Sequence, residues 1–265
     1  MAKPAAIQPA GPKPADDTMM IVYGPPGCGK TRLIADKKTL IVRPFTDHTD
    51  SVRTPGAEEW EVGDWTEMYN VHEFLRHEGT DYYNWVWLDS ISLFQDTGLD
   101  DIWEGVTAKY PHRKEYSLDK GEYGINMWRL QTWVRDVMGI RGLNFGITAH
   151  AEYLQNPITG KTKLMPYIQG KNMATKIQGY CNIVAYLEVV YDKKTETNRR
   201  VLRFRGTDDY DAKDQYDAFP SGRLVDPTMA KINEAIEGIK AESETKTRRP
   251  ARRAARSRRT RQRAA

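Results

Sequence analysis

The chain has 265 residues, a formal net charge of +4 and two cysteines, Cys28 and Cys181. This length suits one α/β domain with tails, or two small domains, and two cysteines argue against a disulfide framework and for a reducing compartment. No run of ~18 apolar residues and no apolar signal segment is found, which excludes a transmembrane chain, argues against secretion and favours the cytoplasm.

The positive charge is concentrated near the carboxyl end of the chain. From Lys246 onward there are ten basic residues and no acidic residue, so residues 1–245 carry a net charge of −6. Such a block predicts a disordered tail that contacts nucleic-acid phosphates through counterion release. A solubilising tail or an acidic protein partner is the alternative. We therefore predict a disordered leader (1–17), a folded domain (18–242) and a disordered Arg-rich tail (243–265).

The first half of the folded domain is predicted to alternate strands with helices. Asp64 and Glu67 are spaced as a capping box, which predicts a helix running to about His77. Residues 44–63 are predicted to be a loop, and residues 95–122 a long, mobile surface segment. Short apolar runs predict strands at 18–23, 39–43 and 82–90.

The second half of the domain continues this pattern and then changes. Apolar residues at helical spacing predict an amphipathic helix over 123–139, ended by Gly139 or Gly142. A buried strand is predicted at 143–150. Further predictions are a short helix at 171–179, a hairpin of strands 182–191 and 199–205, and a closing helix at 227–242. The predicted fold is α/β, a mostly parallel sheet flanked by helices, with a C-terminal β-hairpin region.

Residues 24–31 read GPPGCGKT and fit the phosphate-loop pattern G-x-x-x-x-G-K-[ST] at every fixed position. A strand precedes them and a helical turn follows, as this motif requires. We predict that Lys30 reaches the β- and γ-phosphates of ATP and that Thr31 ligates Mg²⁺. A Gly/Pro turn that matches by chance is the alternative. The predicted nucleotide-binding residues are Gly24, Pro25, Pro26, Gly27, Cys28, Gly29, Lys30, Thr31 and Arg32.

Polar residues at the ends of later strands complete the predicted site. Asp89 follows an apolar strand about 60 residues after Lys30 and is predicted to be the second Mg²⁺ ligand, or else a cap for the next turn. Thr148 and His150 end a later strand, where they would sense the γ-phosphate unless His150 belongs to an ordinary surface turn. The candidates for orienting the attacking water are Asp47, Asp50 and Glu152.

Two further groups are candidates for contacts outside the nucleotide pocket. Rings and positive charges interleave in residues 103–116, which suits either single-stranded nucleic acid or an ordinary surface. The candidates for stabilising transition-state charge across a subunit boundary are Arg203, Arg205 and Lys213, although a basic strand face is the commoner explanation.

These motifs, in this order, resemble the RecA-like phage nucleotide-binding proteins that act as single-strand annealing ATPases. The resemblance covers about residues 18–241. It is carried by the phosphate loop, Leu88-Asp89-Ser90, residues 146–150, and residues 212–216 followed by Phe219-Pro220.

The resemblance implies a RecA-type core, binding of ATP, Mg²⁺ and single-stranded DNA, and self-assembly into rings or filaments. It also implies a role in phage recombination or replication in the host cytoplasm, with Lys213 reaching a neighbouring subunit's nucleotide. The chain departs from the family in two places. No Glu follows the strand that ends Val42-Arg43-Pro44-Phe45, and Gln215 stands where Arg is more frequent.

The sequence therefore predicts a RecA-like ATPase that binds single-stranded DNA through the tail (246–265) and the 103–116 segment. The predicted catalytic residues are Lys30, Asp89, His150 and Lys213. Expected partners are further copies of the chain and a phage or host single-strand binding protein. The alternatives are a helicase or helicase-loader motor, a nucleotide-gated assembly module with little turnover, and a small-molecule kinase with residues 95–122 as its lid.

Overall fold

The computed structural model describes residues 17–45, 55–113, 117–155, 160–170, 172–239 and 241. The predicted leader, apart from Asp17, and the predicted Arg-rich tail lie outside these residues. So do two of the candidate water-orienting residues, Asp47 and Asp50. Within the described ranges, no helix is long and apolar enough to cross a membrane.

The described residues form ten strands and seven α-helices. The strands are β1 (Met19–Gly24), β2 (Thr39–Pro44), β3 (Ala57–Val62), β4 (Trp85–Leu88), β5 (Asn144–Gln155), β6 (Thr162–Pro166), β7 (Ile183–Asp192), β8 (Thr197–Arg203), β9 (Lys213–Asp214) and β10 (Arg223–Val225). The helices are α1 (Lys30–Ile34), α2 (Trp65–Phe74), α3 (Thr80–Tyr82), α4 (Ile91–Lys109), α5 (Lys120–Met138), α6 (Met173–Tyr180) and α7 (229–239). A π-helical turn, Leu75–Gly79, joins α2 to α3.

The strands form one mixed sheet in the order β10-β8-β7-β1-β5-β4-β2-β3, with β6 paired to β5 and β9 to β7. The six strands from β7 to β3 run parallel, and β8 and β10 continue the sheet antiparallel. The predicted α/β class with a hairpin after the parallel strands is confirmed. Because parallel strands point toward the same edge, residues that follow β1 and β4 and residues in the middle of β5 meet in one crevice.

Helices cover both faces of this sheet. Helices α2, α4, α5 and α6 bury apolar side chains such as Phe94 and Trp133 against one face. Helices α1 and α7 pack on the other face, where Trp85 and Trp87 stack with ring centroids 5.3 Å apart. Side chains buried in this way stabilise the fold by about 1.5–3 kcal/mol each. The sheet is therefore a rigid base for the residues at its carboxyl edge.

The loop predicted over 44–63 is wrong for its second half, because residues 57–62 form β3 at the edge of the sheet. The outward side chains of β3 are glutamates, which hide the strand alternation in the sequence. Glu59 and Glu61 bind Arg43 of β2 at 3.1 and 2.8 Å. A charged edge strand of this kind resists pairing with another chain.

The mobile segment predicted over 95–122 is also wrong. Most of it is α4, and α5 begins at Lys120 with a complete capping box from Asp119 and Glu122. The buried face of α4 contains Gln95, Thr97 and Gly98 as well as apolar residues, so the apolar periodicity is weak in the sequence. The predicted nucleic-acid segment 103–116 accordingly begins as the last two turns of α4.

Other boundaries differ by less. The strand predicted over 82–90 is the four-residue β4, and Tyr82 belongs to α3. The strand predicted to end at His150 continues to Gln155 and pairs with β6, which the sequence did not indicate. The helix at 123–139 and the β7–β8 hairpin are confirmed.

Candidate nucleotide-binding site

The phosphate loop connects β1 to α1 and depends on three glycines. Gly27 and Gly29 have φ angles of 73° and 93°, in the left-handed region that side chains disfavour. Gly24 is required for a different reason, since a Cβ there would lie 2.2 Å from the backbone oxygen of Leu187. The loop therefore has the backbone geometry that lets its N–H groups converge on an anion.

A cavity of about 260 Å³ opens above this loop. Lys30, only 8% exposed, lines it and donates hydrogen bonds from Nζ to the carbonyl oxygens of Gly24 and Pro25 at 3.0 and 3.1 Å. The lining residues come from β1–α1, the end of β4 and the middle of β5. They are Pro26, Gly27, Gly29, Lys30, Thr31, Asp89, Ser90 and His150.

Asp89 is held at this cavity by a neighbouring strand. Its carboxylate is 3% exposed and accepts a hydrogen bond from the hydroxyl of Thr148, which is fully buried. Leu88 of β4 pairs with Ile147 of β5, so the residues that follow each of them are adjacent. The strand register thus fixes the orientation of the carboxylate.

The side chains of this cavity fit a Mg²⁺–nucleotide complex. Mg²⁺ is commonly held by one or two protein oxygens together with substrate phosphates, and Thr31 and Asp89 both supply oxygen here. The Ser90 hydroxyl is buried and has no hydrogen-bond partner among the described residues. A buried polar atom without a partner is costly. A hydrated ligand in the cavity would supply one.

His150 is connected to this cavity and to a second surface through its backbone. Its N–H donates to Ser92 Oγ at 3.0 Å, and the Ser92 hydroxyl donates to the carbonyl oxygen of Tyr167 at 2.8 Å. The N–H of Tyr167 in turn donates to the carbonyl oxygen of His150 at 2.7 Å. Ser92 lies three residues after Asp89, so the first turn of α4 joins the cavity to the segment after β6.

A second link follows one turn later along α4. The N–H of Gln169 donates to Gln95 Oε1, and Asn126 Nδ2 donates to the backbone oxygen of Gln95 at 2.9 Å. Trp65 Nε1 donates to Asn126 Oδ1 at 3.2 Å, which anchors the chain of bonds in the core. All but Gln169 are 2% exposed or less.

Tyr167 and Gln169 line a larger groove, of about 600 Å³, beside the β5–β6 hairpin. We call it the β5–β6 groove. Its residues are Glu152, Leu154, Gln155, Lys163, Met165, Tyr167, Ile168, Gln169, Gly170, Asn172, Ala174 and Thr175. Glu152, a candidate for orienting the attacking water, lies in this groove and does not line the cavity.

The structure does not bring every predicted site residue to the cavity. Arg32 is exposed on α1, and Cys28 is buried beside Gly24. Burial raises the pKa of the Cys28 thiol, so the sulfur acts as a packing group. Lys213 lies on β9 beside Val184, near the amino ends of the parallel strands and at the opposite edge of the sheet from the cavity. Any contact of Lys213 with a nucleotide would therefore involve a neighbouring subunit.

Two of the predicted cations already have acidic partners in the folded chain. Arg203 forms an ion pair with Glu188 at 2.5 Å and lies over the ring of Tyr210. Arg113, within the segment predicted to contact nucleic acid, forms hydrogen bonds from both terminal nitrogens to Glu122. These pairs reduce the positive charge that either residue offers to a ligand.

Ser92 and Gln95 were not predicted from the sequence as site residues. Both lie on the buried face of α4, three and six residues after Asp89. Their helical spacing behind the strand-end aspartate was a usable signal, but residues 95–122 were predicted to be a surface segment. Ser90 was noted only as the residue that follows Asp89.

Comparison with known proteins gives two kinds of similarity. The chain is similar in structure to the flagellar accessory protein FlaH from Methanocaldococcus jannaschii, at 11% identity and a TM-score of 0.35 over 70% of this chain and 76% of that one. It is also similar to the KaiC-like protein PH0186 from Pyrococcus horikoshii OT3, at 10% identity and a TM-score of 0.40 over 72% and 79%. At these values neither carries an argument about function. No curated protein matches.

A family described as an AAA domain, AAA_24, matches residues 16–216, which is more than half of the chain. The match spans the phosphate loop, Asp89, Thr148 and His150. The chain therefore belongs to this family and has the fold of a RecA-like P-loop nucleoside triphosphatase.

Proposed function

We propose that this protein hydrolyses Mg²⁺–ATP and couples the state of the nucleotide to binding of single-stranded DNA. Lys30 stabilises charge on the β- and γ-phosphates, and Thr31 and Asp89 hold Mg²⁺. The proposal includes a role in annealing or strand exchange during phage recombination or replication, in the host cytoplasm.

One observation carries the coupling: Ser92 bonds both to His150 at the cavity and to Tyr167 at the β5–β6 groove. We infer that a shift of Asp89 or His150, when the γ-phosphate binds or is lost, reaches the groove through these two partly buried hydrogen bonds. Such bonds transmit a change because losing one leaves a buried polar group unpaired.

The nucleic-acid partner is supported by charge. Ten basic residues without an acidic one follow residue 245, outside the described residues, while the rest of the chain is net negative. A dense basic segment binds phosphates without reading sequence. The proposal also includes self-assembly, with Lys213 reaching a neighbour's nucleotide, and contact with a phage or host single-strand binding protein.

A second candidate is a nucleotide-gated assembly module with little turnover. It is favoured by the end of β2, where Arg43 forms ion pairs with Glu59 and Glu61. RecA-like enzymes usually carry a catalytic Glu at the end of the strand that follows the first helix. In this chain that strand is β2, and its end holds Arg43, whose charge is neutralised by two carboxylates of the edge strand. The kinase alternative loses its predicted lid, because most of residues 95–122 are helical. A helicase or loader motor would use the same site residues.

The test is ATP hydrolysis with and without single-stranded DNA, with Lys30→Ala beside the native chain. DNA stimulation that depends on Lys30 is the expected result. A second variant, with the nine tail arginines replaced by Gln, should bind DNA more weakly and with a shallower salt dependence. ATP binding without turnover in either condition would support the assembly module, and a native chain that binds no DNA would overturn the coupling.

A further inference from the structure

The β7–β8 hairpin packs directly against the phosphate loop. A Cβ on Gly24 would lie 2.2 Å from the backbone oxygen of Leu187, and a Cβ on Gly29 would lie 3.2 Å from Nη1 of Arg200. Both ends of the loop therefore contact this hairpin. In the sheet, β7 flanks β1 on the side opposite β5, so the hairpin lies on the side of the loop away from Asp89.

One face of this hairpin passes from the core to solvent beside the loop. The cross-strand pairs on this face are Leu187 with Leu202, Val189 with Arg200, and Tyr191 with Asn198. Leu187 and Leu202 are fully buried in the same cluster as Leu33 of α1. Side chains two residues apart share a face, so Val189 and Tyr191 continue this surface outward. They are 49% and 56% exposed, which leaves an apolar surface next to the loop.

Arg200 joins this surface to the loop. Its Cδ and Nη1 would lie 3.3 and 3.2 Å from a Cβ on Gly29, so the side chain covers this glycine. Nη1 is buried and has no hydrogen-bond partner among the described residues. A guanidinium is planar and weakly hydrated, and it stacks well on flat aromatic groups. We call Val189, Tyr191 and Arg200 the hairpin platform.

We propose that the base of the bound nucleotide lies on the hairpin platform. This inference rests on the proposed function, because the phosphates must first occupy the loop. Only a ribose separates the base from the first phosphate, and Tyr191 lies about 7 Å along the strand from Val189, whose partner Arg200 touches the loop. The platform is thus within one nucleoside of the phosphates, and Tyr191 offers a ring for stacking.

The platform also accounts for two features that the phosphate site leaves unexplained. A base bound there would cover Val189 and Tyr191, two exposed apolar side chains that share a face beside a polar cavity. It also gives Arg200 a partner, since its guanidinium meets the base or ribose when the site is filled. The lysine and carboxylate of the cavity, by contrast, recognise only phosphate and metal, and carry no selectivity for a nucleoside.

The experiment compares ADP with inorganic tripolyphosphate, which has phosphates and no base, by calorimetry with Mg²⁺. Tyr191→Ala should weaken ADP binding by about tenfold, as loss of one stacking contact does, and Val189→Ser should weaken it less, through loss of an apolar contact. Both variants should leave tripolyphosphate binding unchanged. Val190→Ser is the matched control. Val190 is adjacent in sequence, 36% exposed and on the opposite face of the hairpin.

Each other outcome overturns the proposal in a recognisable way. If both variants bind ADP as tightly as the native chain, the base does not lie on the platform. If their sedimentation also changes, the platform is instead a contact between subunits. Loss of both ligands in the variants assigns these side chains to support of the phosphate loop and not to the base, which overturns the proposal. If the native chain binds neither ligand, or Lys30→Ala binds both as well as the native chain does, the proposed function itself fails and this inference fails with it.

Discussion

The cavity at the phosphate loop and the β5–β6 groove lie beside the same strand but are built in different ways. The cavity is formed by one contiguous motif, by the residues that follow β4 and by His150 of β5. The groove is formed by the β5–β6 hairpin and the segment that leads into α6. No motif marks it, and α4 supplies the bonds that hold it to the cavity.

Under the proposed function, this difference separates the chemistry of the cavity from the coupling of the cavity to the groove. The cavity requires particular backbone conformations and particular oxygen and nitrogen atoms, so residue types are constrained at the fixed positions of its motif. The groove requires only that polar groups on α4 meet backbone groups after β6, and many residue types would satisfy that. We call the hydrogen bonds of Ser92 and Gln95 that join the cavity to the groove the link. We therefore expect substitutions at the cavity to abolish turnover. Substitutions at the link should leave turnover in place and change the coupling between the cavity and the groove.

The largest effect is expected for Asp89→Asn. An amide can still accept the hydrogen bond from Thr148, so the fold should persist, but the proposed Mg²⁺ ligand loses its charge. ATP hydrolysis should fall roughly a hundredfold or more, since stabilisation by a metal ion is worth several kcal/mol. Thr148→Val is the control, because it removes the donor and keeps the carboxylate, and its loss should be smaller. Native turnover in Asp89→Asn would show that this carboxylate is not the metal ligand.

The next effect is on stability and comes from the sheet beneath both regions. Gly146 of β5 faces Trp87 of β4, and a Cβ there would lie 2.3 Å from ring atoms of the indole. Gly146→Ala should lower the free energy of unfolding by about 1–3 kcal/mol or more through overpacking, measured by urea denaturation. In the exposed helical interior, Gly124→Ala meets nothing within 4 Å and should be neutral or stabilising. Equal effects at the two sites would contradict the packing argument.

A smaller and more selective effect is expected at the link. Gln95→Leu keeps the volume of the side chain but removes the acceptor for the N–H of Gln169. Mg²⁺–ADP should still bind, while nucleotide-dependent protection of residues 162–170 in hydrogen exchange should be lost. The coupling at stake is of the order of 1–3 kcal/mol. Gln131→Leu, which removes a surface bond to Tyr180, is the control. Retained protection in Gln95→Leu would mean that the link does not carry the coupling.

The sequence was most informative where backbone geometry restricts residue type. Five of the six parallel strands, the phosphate loop and the hairpin each have a local signature, and Asp89 could be predicted from the apolar strand before it. The link and the groove could not, because α4 buries Gln95 and Thr97 among apolar residues and so lacks a clear periodicity. Edge strand β3 was missed because its exposed glutamates obscure the alternation, and β6 because it is recognisable only as the partner of β5.

The smallest effect is expected at Lys213, which lies outside both regions. Burial lowers the pKa of Lys213 from its ordinary value of 10.5, so the folded chain disfavours the ammonium form. Burying the ammonium group therefore lowers the free energy of unfolding, and this loss of stability is fully present below the folded pKa. Between the folded pKa and 10.5 the unfolded chain binds more protons than the folded chain, so the loss declines as pH rises. Lys213→Met should therefore raise the free energy of unfolding near neutral pH, by about 1 kcal/mol or less for a partly exposed group, and lose this advantage near about pH 10.

Neighbouring groups do not alter the sign of this expectation. Burial raises the pKa of Cys181, whose thiolate would favour the charged form of Lys213, to about 12, so the thiol stays protonated over the range tested. Lys176→Met, at an exposed position on α6, controls for the change of residue type. Because Lys213 lies at the opposite edge of the sheet, single-subunit binding of Mg²⁺–ADP should be unchanged in Lys213→Met. If that binding were lost in a monomer, Lys213 would belong to the cavity of its own chain, and the separation of the two edges would be wrong.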